Sequence, residues 1–158
     1  MKKGFIATVS TIAGVTAGAL TTGRAAQKTV RATKQMSDKH LALFLMMNRW
    51  VEMKQDGKNL ADYFREKGYK SIAIYGMSYA GERLLHELKD SDIKVKCGID
   101  QKADEIYTDV DVLTMDDELP RVDAVVVTSI YFFEEISEKL TALMDSPVIS
   151  LEDILYEM

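Results

Sequence analysis

Residues 70–158 repeat one pattern: a short apolar run, a longer stretch with apolar residues at helical spacing, then another short run. The runs are Ser71-Ile-Ala-Ile-Tyr75, Ile93 to Ile99, Val110-Asp-Val-Leu113, Ala124-Val-Val-Val127 and Pro147-Val-Ile149. Each has the length and the Val/Ile content of a strand and is too short for a buried helix. Ile93, Val95, Cys97 and Ile99 alternate with Lys94, Lys96 and Gly98, which predicts a strand covered on one face. Ala124–Val127 contains no polar residue, which predicts burial on both faces. Between the runs, Ala80, Leu84, Leu85 and Leu88 form one helical stripe; further helices are expected over about 131–143 and from Leu151. Strands alternating with helices at this spacing close into a parallel sheet with right-handed crossovers. The expected class is therefore α/β, with about five parallel strands in the order 3-2-1-4-5, flanked by helices and preceded by N-terminal ones.

That topology predicts where a ligand would sit. In an open parallel sheet the site lies beyond the carboxyl ends of the strands, where the strand order reverses. Here this is the turn after Tyr75 and the end of the fourth strand, at Thr128. The turn reads Gly76-Met77-Ser78-Tyr79-Ala80-Gly81, the G-x-G-x-x-G fingerprint of a Rossmann-like sheet with Ser78 in place of its middle glycine. Gly76 would permit the tight turn and Gly81 the close packing of helix on strand. The amides from Ser78 onward would face a phosphate at the helix N-terminus. Asp100 ends the second strand, 24 positions after Gly76, close to the offset of about 20 at which an acid holds ribose hydroxyls. An acid there favours a free 2′-hydroxyl, so NAD or a nucleotide-sugar is the expected ligand rather than NADP, although Lys102 nearby softens that exclusion. The candidate binding set is Gly76, Met77, Ser78, Tyr79, Ala80, Gly81, Asp100 and Thr128. A purely structural reading stands beside it: the glycines serve only the turn, and Asp100 only caps a loop.

Other chemistries fit less well. Gly76 and Gly81 also have P-loop spacing, but Glu82-Arg83 stands where Lys and Ser/Thr would hold phosphate and magnesium. Tyr63-x-x-x-Lys67 has the spacing of the short-chain dehydrogenase pair, yet it precedes the first strand, and a surface helix explains it better. His86 is expected to be solvated, and Cys97, among apolar neighbours, to be a core thiol. The single cysteine and two widely separated histidines offer no metal-ligand spacing. Asp116, Asp117 and Glu118 suggest a helix start. No catalytic residue and no independent activity are expected. A net charge of −5 argues against nucleic acid as a partner.

The N-terminal third differs in composition. No acid precedes Ser37, whereas Lys2, Lys3, Arg24, Lys28, Arg31 and Lys34 are basic, which separates residues 1–35 as a Gly/Thr/Ala-rich helix of their own. Phe5 to Leu20 is uncharged, and Gly14-x-x-x-Gly18 is the spacing that lets two membrane helices approach. The run is short against the roughly 20 apolar residues needed to span a bilayer. Three readings stay open: membrane contact through residues 4–22, a cleaved signal peptide, or a soluble helix packed on another chain. If it spans, the basic residues after it place the main domain on the cytoplasmic side, anchored at the inner face of the membrane; the lack of disulfides also fits a cytoplasmic location. Residues 36–69 read as an amphipathic linker. Within it, a helix over about 38–55, capped by Ser37 or Asp38, carries Leu41, Leu45, Met46, Trp50 and Met53 on a broad apolar face, and a short helix runs from Leu60 to a stop at Gly68. The broad face would pack on residues 70–158 or form a homodimer contact.

Leu45 through Trp50, Gly57-Lys-Asn-Leu-Ala-Asp-Tyr-Phe, Lys67-Gly-Tyr, Ile74-Tyr-Gly-Met, Ile99-Asp100, Val125-Val-Val-Thr128 and Val148-Ile-Ser-Leu151 together resemble a known small module. It is the Rossmann-like module that accompanies bacterial surface-polysaccharide biosynthesis proteins, similar also to the nucleotide-sugar-binding domain of sugar acetyltransferases. The resemblance spans about two thirds of the chain and leaves out the N-terminal segment. It implies binding of a nucleotide or nucleotide-sugar through Gly76, Ser78, Gly81 and Asp100, accessory to glycan assembly. The acetyltransferase hexapeptide repeats are missing, so that chemistry is not implied. The competing expectation is a non-catalytic scaffold that oligomerises through its N-terminal helices and keeps only a vestigial pocket.

Overall fold

The structure is a computed structural model and describes residues 27 and 29–158. Helix α1 spans Lys2–Gln55, and the contacts divide the chain into one unit at Met1–Leu41 and another at Ala42–Met158. Ser37 and Asp38 lie inside α1 rather than capping a new helix; no glycine or proline interrupts residues 29–55. The expected membrane contact at residues 4–22 lies outside the described residues. Among the described residues, no helix is long and apolar enough to cross a membrane.

The second unit contains α2 (Leu60–Glu66), β1 (Ser71–Tyr75), α3 (Tyr79–Leu88), β2 (Lys94–Ile99), β3 (Val112–Leu113), β4 (Ala124–Val127), α4 (Phe133–Leu143), β5 (Val148–Ser150) and α5 (Leu151–Glu157). All four strand pairings are parallel, in the order β3-β2-β1-β4-β5. It is the Rossmann-like arrangement that the alternation of runs predicts. Each strand is only two to six residues long, so burial on both faces must supply the stability that length does not. One face carries Ile72, Ile74, Ala124 and Val126 against Met46, Trp50, Met53, Phe64, Leu84, Leu88 and Ile154. The other carries Ala73, Tyr75, Cys97, Ile99, Val125 and Val127 against Ile136 and Leu140 of α4. Val125, Val126 and Val127 are fully buried, each burial contributing about 1.5–3 kcal/mol.

Two expectations are corrected here. Lys94 and Lys96 are exposed, but Gly98 does not continue their solvent face: the β1–β2 register shifts between Ile72 and Ala73, and Cys97, Gly98 and Ile99 are all buried. The extra residue in β2 moves Cys97 and Ile99 to the face opposite Val95. Asp116, Asp117 and Glu118 start no helix. The Asp117 carboxylate accepts instead from the Thr114 amide at 2.7 Å and hydroxyl at 2.8 Å, which folds the β3–β4 connection into a turn.

The last turns of α1 are part of the sheet-bearing unit. Met46, Trp50 and Met53 are buried, whereas Leu41, Phe44, Leu45 and Val51 are 48–66% exposed on another side of the helix. The broad apolar face read from the sequence is thus two faces, of which one packs. Glu87 of α3 clamps the arrangement: its carboxylate accepts from Trp50 Nε1 at 2.7 Å, Lys54 Nζ at 3.1 Å and the Leu60 amide at 2.9 Å. Asn59 caps α2 through the Ala61 amide, and Gly68 (φ +77°) ends the helix.

Candidate functional site

β1 ends beneath a turn that only glycine can make. Gly76 has φ +91°, and a Cβ on it would lie 2.8 Å from Thr128 Oγ1. Its amide donates to the Ile99 carbonyl at 2.9 Å, which ties the turn to β2. On the other side, Thr128 donates its amide to the Tyr75 carbonyl at 2.9 Å and its hydroxyl to the Gly76 carbonyl at 2.6 Å. The residue at the end of β4 therefore holds the turn at the end of β1 from beneath. Thr128 is itself 4% exposed, so it supports the turn from within and has little surface of its own to offer a ligand.

Gly81 lies in the first turn of α3. A Cβ there would sit 2.2 Å from the Gly76 carbonyl oxygen, so its missing side chain is what lets α3 rest on the turn. Met77, 2% exposed, turns inward, and its thioether fills the space left by Gly98, where a Cβ would meet Sδ at 2.8 Å. The packing of the protein thus accounts for each glycine in turn. Of the fingerprint residues, Ser78 and Tyr79 reach solvent, Tyr79 with 77% of its surface exposed, while Ala80 is buried.

The amides are what this packing leaves over. The Met77 amide donates to Asp100 Oδ2 at 2.9 Å, and the first helical bond runs from the Glu82 amide to the Ser78 carbonyl at 2.9 Å. Between them, the amides of residues 78–81 find no acceptor among the described residues. Ser78, in an extended conformation at the N-cap, makes no side-chain capping bond to them. They stand at the positive end of the α3 dipole, above the reversal in strand order between β1 and β4.

Asp100 does more for the turn than its sequence offset suggested. One oxygen holds the Met77 amide and the other the Lys102 amide at 3.0 Å. The carboxylate bridges the first and second βα connections and is half-buried there. Each oxygen retains a lone pair for a further donor. Beside it, the Tyr75 hydroxyl is pushed above its ordinary pKa, first by burial and then by the Asp100 charge.

Charge divides this edge of the sheet. Beyond β4 and β5, a cavity of about 420 Å³ is walled by Glu134, Glu135, Glu152 and Asp153 together with the Tyr131 and Phe132 rings. Four acids repel a phosphate, so an anion at this edge is restricted to the β1–β2 half. Among the described residues no group of three His, Cys, Asp or Glu side chains is placed to hold a metal. Cys97 is 1% exposed, and burial, aided by Asp111, pushes its thiol up to about 11. Tyr63, on the helix read from the sequence as a surface one, is 7% exposed and packs edge-on against Phe64. Sequence reasoning passed over Glu87. Its signal was an acid three residues past the buried Leu84, at the border of the face by which α3 packs.

No protein-family model matches the chain, and neither does any curated protein.

Proposed function

We propose that the sheet-bearing unit binds a nucleotide-type ligand, NAD or a nucleotide-sugar, with its phosphate on the amides of residues 78–81 and its ribose on Asp100. The observation that carries this reading is the row of four amides without a protein acceptor at the start of α3, over the point of strand-order reversal. Asp100 keeps a free lone pair on each oxygen while anchoring the turn, so ribose hydroxyls add to its contacts without displacing any. Ser78 stands at the mouth with an uncommitted hydroxyl that donates to the same phosphate. The role proposed for this turn is binding. An accessory place in bacterial glycan assembly is the context that the resemblance to surface-polysaccharide modules adds.

Calorimetric titration of the full chain with NAD, UDP-N-acetylglucosamine and CMP tests the reading. One of them is expected to bind saturably, with amide shifts at residues 78–81, and Asp100→Asn is expected to weaken it about tenfold. No heat and no shift at millimolar concentration of any of the three refutes it.

A second reading is favoured by a separate observation. Phe44, Leu45 and Val51 present 66%, 48% and 52% of their surface on α1, an apolar strip suited to self-association in a scaffold whose pocket is vestigial. Sedimentation equilibrium separates the readings: a dimer that Phe44→Glu dissociates supports the scaffold, and a monomer at all concentrations ends it.

A further inference from the structure

A concavity of about 730 Å³ lies away from the glycine turn, between α3, the start of β2 and residues 107–110. Its origin is a mismatch in strand length. β2 has six residues, but β3 pairs only with Gly98 and Ile99, so residues 94–97 have no strand on that side. The chain before β3 diverges from β2, and the Lys89–Asp109 ion pair, at 2.8 Å, closes the wedge between them. The floor is apolar, with Leu88 and Ile93 buried and Val95 half-buried. The rim is cationic: Arg83, Lys89, Lys94 and Lys96 stand against only Glu82 and Asp109, on a chain whose net charge is −5. Among the described residues, Lys94 and Lys96 have no carboxylate within ion-pair distance. Tyr107 stands at the mouth with 93% of its surface exposed.

We propose that this wedge is a second ligand site, taking a small organic anion with a flat apolar body, its ring against Tyr107 and the apolar floor, and its charged group between Lys94 and Lys96. The volume falls within the roughly 300–1,000 Å³ of small-molecule sites, and an apolar floor with few convergent polar groups is their usual lining. Charge selects the sign of the ligand: two unpaired ammonium groups at the rim favour an anion and repel a cation. Lysines at an open strand edge also deter pairing with another chain. The two roles separate on charge reversal, because a glutamate still guards the edge but repels the anion.

The test uses 8-anilinonaphthalene-1-sulfonate as the anion and N-phenyl-1-naphthylamine as its neutral counterpart, followed by fluorescence and by amide shifts of the full chain. The expected result is saturable one-to-one binding of the sulfonate, with shifts confined to residues 83–96 and 107–110. The Lys94→Glu/Lys96→Glu variant should lose about tenfold in affinity, since each reversal turns an attraction for the sulfonate into a repulsion. Tyr107→Ala should weaken binding several-fold, and Arg121→Glu, outside the wedge, should leave it unchanged. Near-UV circular dichroism of each variant checks that the fold is retained. Equal binding of the neutral probe, affinity indifferent to the double reversal, or shifts centred on residues 44–51 or 77–81 would each overturn the assignment.

Discussion

Gly81→Ala separates a glycine kept for packing from one kept only by its motif. In an exposed helix the exchange stabilises by about 1 kcal/mol, because alanine has the higher helix propensity. Here the added Cβ would lie 2.2 Å from the Gly76 carbonyl oxygen and 3.1 Å from its carbon. Ordinary carbon–oxygen contacts begin near about 3.3 Å, so the overlap is about 1 Å, and both neighbours are backbone that no rotamer change can move. Relief requires α3 to lift from the turn, or the Gly76 peptide to rotate away from Thr128 and lose the 2.6 Å bond to its hydroxyl. Over-packing costs about 1–3 kcal/mol and the lost bond about 1. Against the propensity gain, the net loss is about 2 kcal/mol. Urea unfolding followed by Trp50 fluorescence measures it: with an m-value of about 1–3 kcal/mol/M, the midpoint falls by about 0.7–2 M. Ser78→Ala is the control, since Ser78 makes no capping bond, and should change stability by no more than about 0.5 kcal/mol. A Gly81→Ala protein as stable as the parent, or more so, would refute the contact between α3 and the turn, and with it the geometry of the proposed site.

Glu87→Ala should cost about 2–4 kcal/mol, because it strands the Trp50 indole and the Leu60 amide in a region where Trp50 is 5% exposed. Trp50 is the chain's only tryptophan, so a red shift of native emission reports the same loss directly; an unshifted spectrum with unchanged stability would count against the clamp. The Asp123 carboxyl is held below its ordinary value of 3.8 by the amides of Lys70 and Ser71 and the Ser71 hydroxyl. A depressed folded-state pKa stabilises above the unfolded value, and the gain disappears as pH falls through the folded one. Asp123→Asn should therefore flatten the loss of stability below about pH 4, and an identical acid profile would show that the anchor contributes nothing. Cys97, with a thiol pushed up to about 11 and 1% exposure, should resist 5,5′-dithiobis(2-nitrobenzoate) at pH 8 until the protein unfolds; fast modification of the native protein would contradict its burial.

The architecture could be read from local periodicity because each strand and helix announces itself over a few neighbouring residues. Val125–Val127 has no polar position to expose, Ala80, Leu84 and Leu88 recur at helical spacing, and parallel connections admit one handedness. That was enough for the strand order. The extra residue in β2 was not legible, because Lys94-Val-Lys-Cys97 alternates as a regular strand does and only pairing with β1 displaces it. Nor was the division of α1 into a packed and an exposed face, since Leu45 and Met46 are equally apolar and only the position of the sheet distinguishes them.

The turn at Gly76 shows the same boundary at atomic scale. Its place at a carboxyl edge, the need for a positive φ and the presence of an acid at the end of β2 follow from residue type and spacing. Which groups are already engaged does not. Asp100 meets Met77 across 23 residues, Thr128 meets Gly76 across 52, and Glu87 meets Trp50 across 37. Such pairs depend on where whole elements come to rest, and that is set by the summed packing of two cores rather than by any short stretch of chain. A local pattern specifies which hydrogen-bonding groups a segment owns; the assembled sheet settles which of them remain free for a ligand.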